Sequence, residues 1–151
     1  HHVAETWRRM AMAQGDAAAR LAPVAHAMTD VTGFGLAGHL GQICAASGLG
    51  ADLDAMCLPL LPGAHDLAAR GVRSSLYAQN RAAMAGRIEE AMGGPVFDLL
   101  FDPQTAGGLL AAVPEAAADG IVADLRAMGH DAARIGQMWP TPGPIRITGA
   151  G

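Results

Sequence analysis

The sequence predicts an α+β fold in which helices pack against a mixed β-sheet, and three observations support this. The 151 residues fit one domain that is large enough to bury a core. Hydrophobic residues make up 51% and charged residues only 16%, a composition that excludes a disordered chain. Helical and strand-like segments follow in the order α-β-α-β-α-α-β-β-α-β, without the regular period of βαβ units, which is typical of an α+β sandwich.

The first segment, residues 3–21, is rich in alanine and carries apolar residues at helical spacing, so it predicts helix. Gly15 is expected to divide it into two helices, with Asp16 as the cap of the second. Pro23 then ends the second helix, because proline cannot continue the hydrogen-bond ladder. Residues 24–28 are short and partly alternating, which predicts the first strand.

The next part of the chain predicts a helix, a strand and a second helix. Apolar residues recur at helical intervals after Gly35, and Gly48 marks the expected end of that helix. Residues 49–54 alternate between apolar and polar types, as in a half-buried strand. A loop bracketed by prolines, 59–62, leads to a short helix over 63–70.

The second half is expected to contain an irregular segment, two helices and three strands. In chain order these are an irregular stretch over 72–80, a helix over 81–92, strands over 97–101 and 109–113, a helix over 114–128 and a strand over 131–138. The later helix is predicted because Ile121, Leu125 and Met128 share one face. We expect one domain over residues 1–138, followed by a loosely ordered Pro/Gly-rich tail over 139–151.

Charge and cysteine content exclude several classes of function. The net charge is −4 and no basic stripe is present, so nucleic acid is not expected as a partner. All the positive side chains besides histidine are arginines, since the chain contains no lysine. No apolar stretch suits a membrane span or a signal peptide. Cys44 and Cys57 are far apart, which is typical of a reduced, cytoplasmic protein, and Cys44 is interpreted as a small core residue.

Two glycine-rich turns, 30–35 and 102–108, share one order of residues: aspartate, threonine, then glycines before an apolar run. The first turn leads into a helix, whose free amides and dipole favour an anion such as phosphate. A carboxylate beside bound phosphate suits Mg²⁺, which takes one or two protein carboxylates and completes its shell with water and phosphate oxygens. The candidate residues are Asp30 as the metal ligand, and Thr32, Gly33 and Gly35 as phosphate contacts.

A purely structural interpretation of the same turns stays open. Aspartate before a helix often caps it, and Asp102 before Pro103 is an ordinary start of a turn. His39 either faces a ligand or is a structural side chain, and the structural role is the more common one. Walker-type loops, zinc-protease motifs and nucleophile elbows are absent from the sequence, so no catalytic residue is assigned in it.

The whole first turn region, residues 29–39, resembles a signature of selenophosphate synthetases, and so does the second, residues 102–110. The resemblance covers about residues 7–138. Ala106 stands where the family commonly has serine, which removes a hydroxyl and argues against a direct ligand role there. Three further elements of the family follow in matching order: residues 59–64, Asn80 and residues 134–136.

The resemblance implies the C-terminal α+β domain of a superfamily that includes aminoimidazole ribonucleotide synthetase, thiamine-phosphate kinase and a hydrogenase maturation factor. The intact enzyme would be an ATP- and magnesium-dependent phosphotransferase. It would make selenophosphate from selenide, ATP and water, releasing AMP and phosphate. An N-terminal ATP-binding domain is expected to precede this fragment. By the resemblance, that domain carries the catalytic cysteine or selenocysteine and an essential lysine, so the fragment would be inactive alone.

By the same resemblance, Asp30 matches the aspartate that the C-terminal domain contributes to the magnesium cluster. Neither Cys44 nor Cys57 corresponds to the catalytic thiol, and the intact enzyme is expected to be a homodimer. Two alternatives stay open: another ATP-dependent synthetase or kinase of the same superfamily, and a non-enzymatic interaction module.

Overall fold

The structure, a computed structural model, describes residues 2–89 and 93–149. The described helices are α1 His2–Met10, α2 Gly15–Leu21, α3 Gly35–Ser47, α4 Ala64–Ala69, α5 Tyr77–Ala83, α6 Pro95–Leu99 and α7 Glu115–Ala127. The strands are β1 Ala27–Asp30, β2 Gly50–Asp54, β3 Leu109–Ala112, β4 Gly136–Trp139 and β5 Ile145–Thr148, and a 3-10 turn, Ala55–Cys57, follows β2. The α+β class is therefore confirmed.

The strands form two small sheets, where the sequence predicted a single mixed sheet. In the first sheet, β1 and β3 are antiparallel, and Asp30 lies opposite Leu109. The second sheet has the order β4-β2-β5, with β2 antiparallel to β4 and parallel to β5. The second sheet is mixed, as expected, whereas the first has only two strands and depends on packing against helices for its stability.

Two hydrophobic clusters hold the helices against these sheets. The larger one surrounds α3, the three-stranded sheet and α6, and its largest fully buried side chains are Phe97, Phe101, Leu53, Leu100 and Ile145. Each of these side chains contributes roughly 1.5–3 kcal/mol through burial. The smaller cluster joins α2 to α7 through four buried side chains, Ala17, Leu21, Ile121 and Leu125. Met128, predicted to share the buried face of α7, is 45% exposed.

Most elements of the first half confirm the prediction from periodicity. Four features lie where the sequence placed them: the division of the first helix near Gly15, the helix that ends at Gly48, and the strand and short helix that follow. The first strand begins three residues later than predicted, at Ala27. Asp16 is not the cap of α2, because Gln14 holds that position, and the Asp16 carboxylate instead accepts from the Ala17 amide and contacts His130.

The predicted strand over 97–101 is wrong, because this segment contains α6 and the turn that follows it. Its buried residues, Phe97, Leu100 and Phe101, have the three- and four-residue spacing of a helix face. Pro95 begins the helix, a position that suits proline because its missing N–H would have no partner there. A short apolar run alone does not distinguish a buried strand from a buried helix, which explains the error.

The prediction of a loosely ordered tail is also wrong. Residues 145–148 form β5, which pairs with β2, and Ile145 and Ile147 are buried in the larger cluster. The Pro/Gly-rich residues before β5 serve as its connection, and the sequence analysis gave their composition too much weight.

Two other boundaries moved. The helix predicted over 81–92 is α5, which begins earlier and ends at Ala83; residues 90–92 of that prediction lie outside the described residues. The strand predicted over 131–138 begins at Gly136. Of the helices that the structure describes, none combines the length and the apolar character that crossing a membrane requires.

Candidate functional site

The two glycine-rich turns lie side by side. The first turn comprises residues 30–35 and the second residues 102–108, and together we call them the paired turns. The antiparallel pairing of β1 with β3 brings them together, since the first turn leaves β1 where the second turn enters β3. The Val31 amide donates to Gly108 O at 2.9 Å, and the Gln104 amide donates to Thr32 O at 3.0 Å.

Glycines allow this close approach between the backbones of the paired turns. A Cβ atom at Gly107 would overlap the carbonyl oxygen of Val31. Gly35 has a φ of +71°, and a Cβ atom there would lie 2.8 Å from Leu100 O and 3.0 Å from Asp102 O, the latter in the second turn. A Cβ atom at Gly33 would meet no heavy atom within 4 Å. Gly35 and Gly107 are thus needed for contact between the turns, while Gly33 faces open space.

Asp30 projects a free carboxylate from the end of β1. Its side chain is exposed and makes no hydrogen bond or ion pair with another residue in the described part of the chain. Its backbone is held by strand pairing, and the Thr29 hydroxyl donates to Asp30 O at 3.0 Å. The cap position of α3 is Phe34, with no side-chain cap. Asp30 is therefore neither a helix cap nor a buried structural carboxylate.

The candidate phosphate contacts differ in how their amides are used. The Thr32 amide donates to His39 Nε2 at 3.0 Å, and the Gly35 amide donates to Thr32 O at 3.1 Å. The Gly33 amide has no hydrogen-bond partner within residues 2–89 and 93–149, and this residue is exposed. Of the three candidates, Gly33 therefore offers the free donor, and the roles of Thr32 and Gly35 as phosphate contacts stay predictions.

His39 lies beneath the first turn rather than on its exposed side. The residue is 6% exposed, its Nε2 is 3.0 Å from Thr32 N and 3.2 Å from Thr32 Oγ1, and its ring centroid is 5.6 Å from that of Phe34. Of the two interpretations of this histidine, the structural one agrees with the geometry.

Asn80, on α5, connects the first turn to Phe101, the residue directly before the second turn. It is 6% exposed, and its Nδ2 donates to Gly33 O at 2.9 Å and to Phe101 O at 3.0 Å. Gln14, from the α1–α2 connection, adds a bond from Nε2 to Gly107 O at 2.7 Å. Spacing in the sequence assigned no role to Asn80 or Gln14, and only the family resemblance singled out Asn80.

Replacing Asn80 with aspartate is expected to lower the free energy of unfolding by about 3 kcal/mol at neutral pH. The carboxylate has the same shape, but it donates nothing and would face two carbonyl oxygens with a negative charge. Acid protonates this carboxyl and restores one donor, so the deficit should shrink as the pH falls. Urea denaturation at neutral and acidic pH measures both effects.

The matched control for this variant is Gln79→Glu, at an exposed position of the same helix, which adds the same charge without facing those carbonyls. Equal denaturation midpoints for Asn80→Asp and the unchanged chain would show that Asn80 does not hold the turns together.

Asp102, at the start of the second turn, is a partly buried carboxylate. Burial raises the pKa of the Asp102 carboxyl, and the nearby Ser74 hydroxyl and Arg73 charge offset part of that rise. The Ser74 hydroxyl is itself buried and has no partner of hydrogen-bond geometry within the described residues. Arg73 pairs with Asp98, which also accepts from the Tyr77 hydroxyl at 2.5 Å. The sequence analysis interpreted Asp102 as an ordinary turn residue and did not predict its partial burial.

The two cysteines lack the properties of a catalytic thiol. Burial raises the pKa of the Cys44 thiol. The hydrogen bond from Cys57 Sγ to Asp54 Oδ2, at 3.3 Å, raises the pKa of the Cys57 thiol. A raised pKa disfavours the thiolate, the nucleophilic form of cysteine. Both cysteines are free, and the absence of a catalytic role for either stays a prediction.

Among the described residues, Asp30 is an exposed carboxylate without a partner, and its role as a metal ligand stays a prediction. No group of three or more His, Cys, Asp or Glu side chains that could hold a metal occurs within the described residues. Mg²⁺ requires only one or two protein carboxylates when water and phosphate oxygens supply the rest. The exposed, unpaired Asp30 fits such a partial site, whose other ligands would come from outside this chain.

Comparison with known proteins identifies similar chains. The family model described as AIR synthase related protein, C-terminal domain, matches residues 2–147. The selenide, water dikinase of Escherichia coli strain K12 is 40% identical over 117 residues, which cover 78% of this chain and 33% of the relative. This chain therefore spans about a third of the length of that curated relative.

Solved structures show the same fold at lower identity. The hydrogenase maturation protein HypE of E. coli aligns with a TM-score of 0.59 and 22% identity, over 91% of this chain and 37% of that chain. Thiamine-monophosphate kinase from Stenotrophomonas maltophilia aligns with a TM-score of 0.56 and 22% identity, over 86% of this chain and 33% of that chain. These two likenesses concern the fold alone.

Proposed function

We propose that this chain is the C-terminal domain of a selenide, water dikinase. The premise is that the chain belongs to the AIR synthase related proteins, as their C-terminal domain. The relative that carries this name is 40% identical over 117 residues, whereas the related kinase and maturation protein reach 22%. The intact enzyme would convert selenide, ATP and water into selenophosphate, AMP and phosphate. An N-terminal ATP-binding domain would supply the remainder of the active site, since the relative is about three times longer.

The observation that carries this proposal is that the first turn holds two exposed groups without a partner among the described residues, the carboxylate of Asp30 and the amide of Gly33. Asp30 would hold magnesium against the ATP phosphates, and Gly33 N–H would donate to a phosphate oxygen. Bound magnesium would neutralise charge that develops on the transferred phosphoryl group. The paired turns and Asn80 keep the backbone of these two residues in place before any ligand arrives.

Neither cysteine enters the proposed chemistry, and the chain contains no lysine, so the nucleophile and its lysine would belong to the N-terminal domain. The chain alone should therefore be inactive. The proposal also includes a cytoplasmic location, for which two free cysteines are typical. The homodimer of the intact enzyme stays a prediction from the family resemblance.

A direct test uses the full-length gene product that carries this chain. We expect selenophosphate, detected by ³¹P NMR, together with AMP release that requires both selenide and Mg²⁺. Parallel reactions offer thiamine monophosphate in place of selenide, and a reaction with the 151-residue chain alone controls for activity of the fragment. Phosphorylation of thiamine monophosphate without selenophosphate formation would assign the chain to the kinase of similar fold. Absence of ATP turnover with any acceptor would favour the interaction module.

A further inference from the structure

His39 is a buried polar side chain that the proposed chemistry does not use. It belongs to α3, is 6% exposed, and its Nε2 lies 3.0 Å from the backbone nitrogen of Thr32. A backbone N–H only donates, so Nε2 must be the acceptor and carry no proton. The proton of the neutral ring therefore sits on Nδ1. The distance of 3.2 Å to Thr32 Oγ1 places the hydroxyl close to the same acceptor.

The other ring nitrogen gives no reason for a histidine at this position. His39 Nδ1 is buried and has no hydrogen-bond partner among the residues that the structure describes. A buried donor without a partner costs stability, and a purely apolar side chain would avoid that cost. The benefit of a histidine here must therefore come from the bond that Nε2 accepts.

That bond fixes the orientation of the peptide group between Val31 and Thr32, which follows Asp30. Because the Thr32 amide is used in this bond, it is not available to a ligand. From α5, Asn80 donates to Gly33 O. The first turn is thus held by a side chain from α3 and by another from α5. These bonds leave the Asp30 carboxylate and the Gly33 amide free, and both residues are exposed.

We propose that His39 is a positioning residue for the magnesium and phosphate site: by accepting the Thr32 N–H at Nε2, it fixes the first turn in the form that presents Asp30 and the Gly33 amide. The part of this inference that concerns magnesium rests on the proposed function. The part that concerns the tautomer and the turn depends on the geometry of this chain alone.

The geometric part is tested in the 151-residue chain without ligand. Long-range ¹H–¹⁵N NMR at about pH 8, where an ordinary histidine is neutral, should show His39 protonated at Nδ1 and unprotonated at Nε2. His39→Gln should leave the amide resonances of residues 30–35 near their original positions, because glutamine places an acceptor at the same number of bonds from Cα as Nε2. His39→Leu should shift them. The opposite tautomer, or equal shifts in both variants, would overturn the inference whatever the enzyme does.

The functional part is tested in the full-length enzyme. His39→Leu and His39→Asn should raise the Mg²⁺ concentration for half-maximal ATP turnover about 10- to 100-fold, as expected for a residue behind a metal ligand. His39→Gln should restore most of that loss, whereas the asparagine acceptor is too short to reach Thr32. His65→Leu, at an exposed histidine of α4, is the matched control and should change nothing.

A purely structural role would give a different result, in which the three variants follow thermal stability and share one Mg²⁺ requirement. That outcome, or a glutamine variant no better than leucine, would reject the positioning role. If the enzyme shows no selenide-dependent turnover, the proposed function fails, and the NMR comparison still decides whether His39 holds the turn.

Discussion

Asp30→Asn is expected to lower the selenide-dependent ATP turnover of the full-length enzyme by about 100-fold or more. Asparagine keeps the size of the side chain but removes the negative charge that a hard cation such as Mg²⁺ prefers. Asp30 makes no hydrogen bond or ion pair with the other described residues, so no protein contact is lost in the exchange. Loss of activity should therefore come with a higher Mg²⁺ requirement and an unchanged fold.

Two measurements separate this effect from a general loss of charge or of stability. Asp119→Asn removes the same charge at another exposed position, on α7, and should retain the original turnover. Thermal unfolding of the Asp30→Asn chain should stay within about 0.5 kcal/mol of the original, as for other exposed substitutions. Original turnover with an unchanged Mg²⁺ dependence would show that Asp30 is not a metal ligand.

Gly107→Ala is expected to cost about 3 kcal/mol of the free energy of unfolding, the upper range for added atoms in a tightly packed place. The new Cβ would overlap Val31 O and approach Gln104 Cβ at 2.8 Å. The Val31 oxygen belongs to the backbone, and the Val31 amide is bonded to Gly108 O, so it cannot move aside as a flexible side chain would. Relief of the overlap requires the paired turns to separate.

The adjacent glycine provides a matched control for this prediction. A Cβ atom at Gly108 would meet no heavy atom within 4 Å, so Gly108→Ala should change stability by less than about 1 kcal/mol. Chemical denaturation of both variants, with the original chain beside them, measures the difference. Similar midpoints for the two alanine variants would mean that the turns are not in close contact.

The glycine-rich turns lie where the sequence predicted them, but the reason for their glycines is only partly the predicted one. Glycine-rich turns predicted close approach of the backbone to a ligand. The structure shows that Gly35 and Gly107 allow close approach of one turn to the other, since their missing Cβ atoms would clash with backbone oxygens. Of the three candidate phosphate contacts, only Gly33 combines an exposed position with an amide that has no partner among the described residues. The local sequence indicates that the backbone approaches another group closely at these glycines. It does not show whether that group is a ligand or another segment of the chain.

Secondary structure was predictable where its cause is local. The apolar spacing of α3 and α7 and the alternation of β2 depend on neighbours within a few residues, so these elements stand close to where periodicity placed them. The errors concern α6 and β5. An apolar run over 97–101 suits a strand or a buried helix equally, and β5 becomes a strand by pairing with β2, more than ninety residues earlier.

The sequence by itself determined the α+β class, the position of both turns and the choice of Asp30, because residue types and local spacing carry that information. Only the tertiary structure decided that the turns lie side by side, that Asn80 donates to Gly33 O across 47 residues, and that His39 accepts from Thr32. A hydrogen bond depends on distance and angle in space. Residues far apart in the chain acquire these only after the helices and sheets have packed.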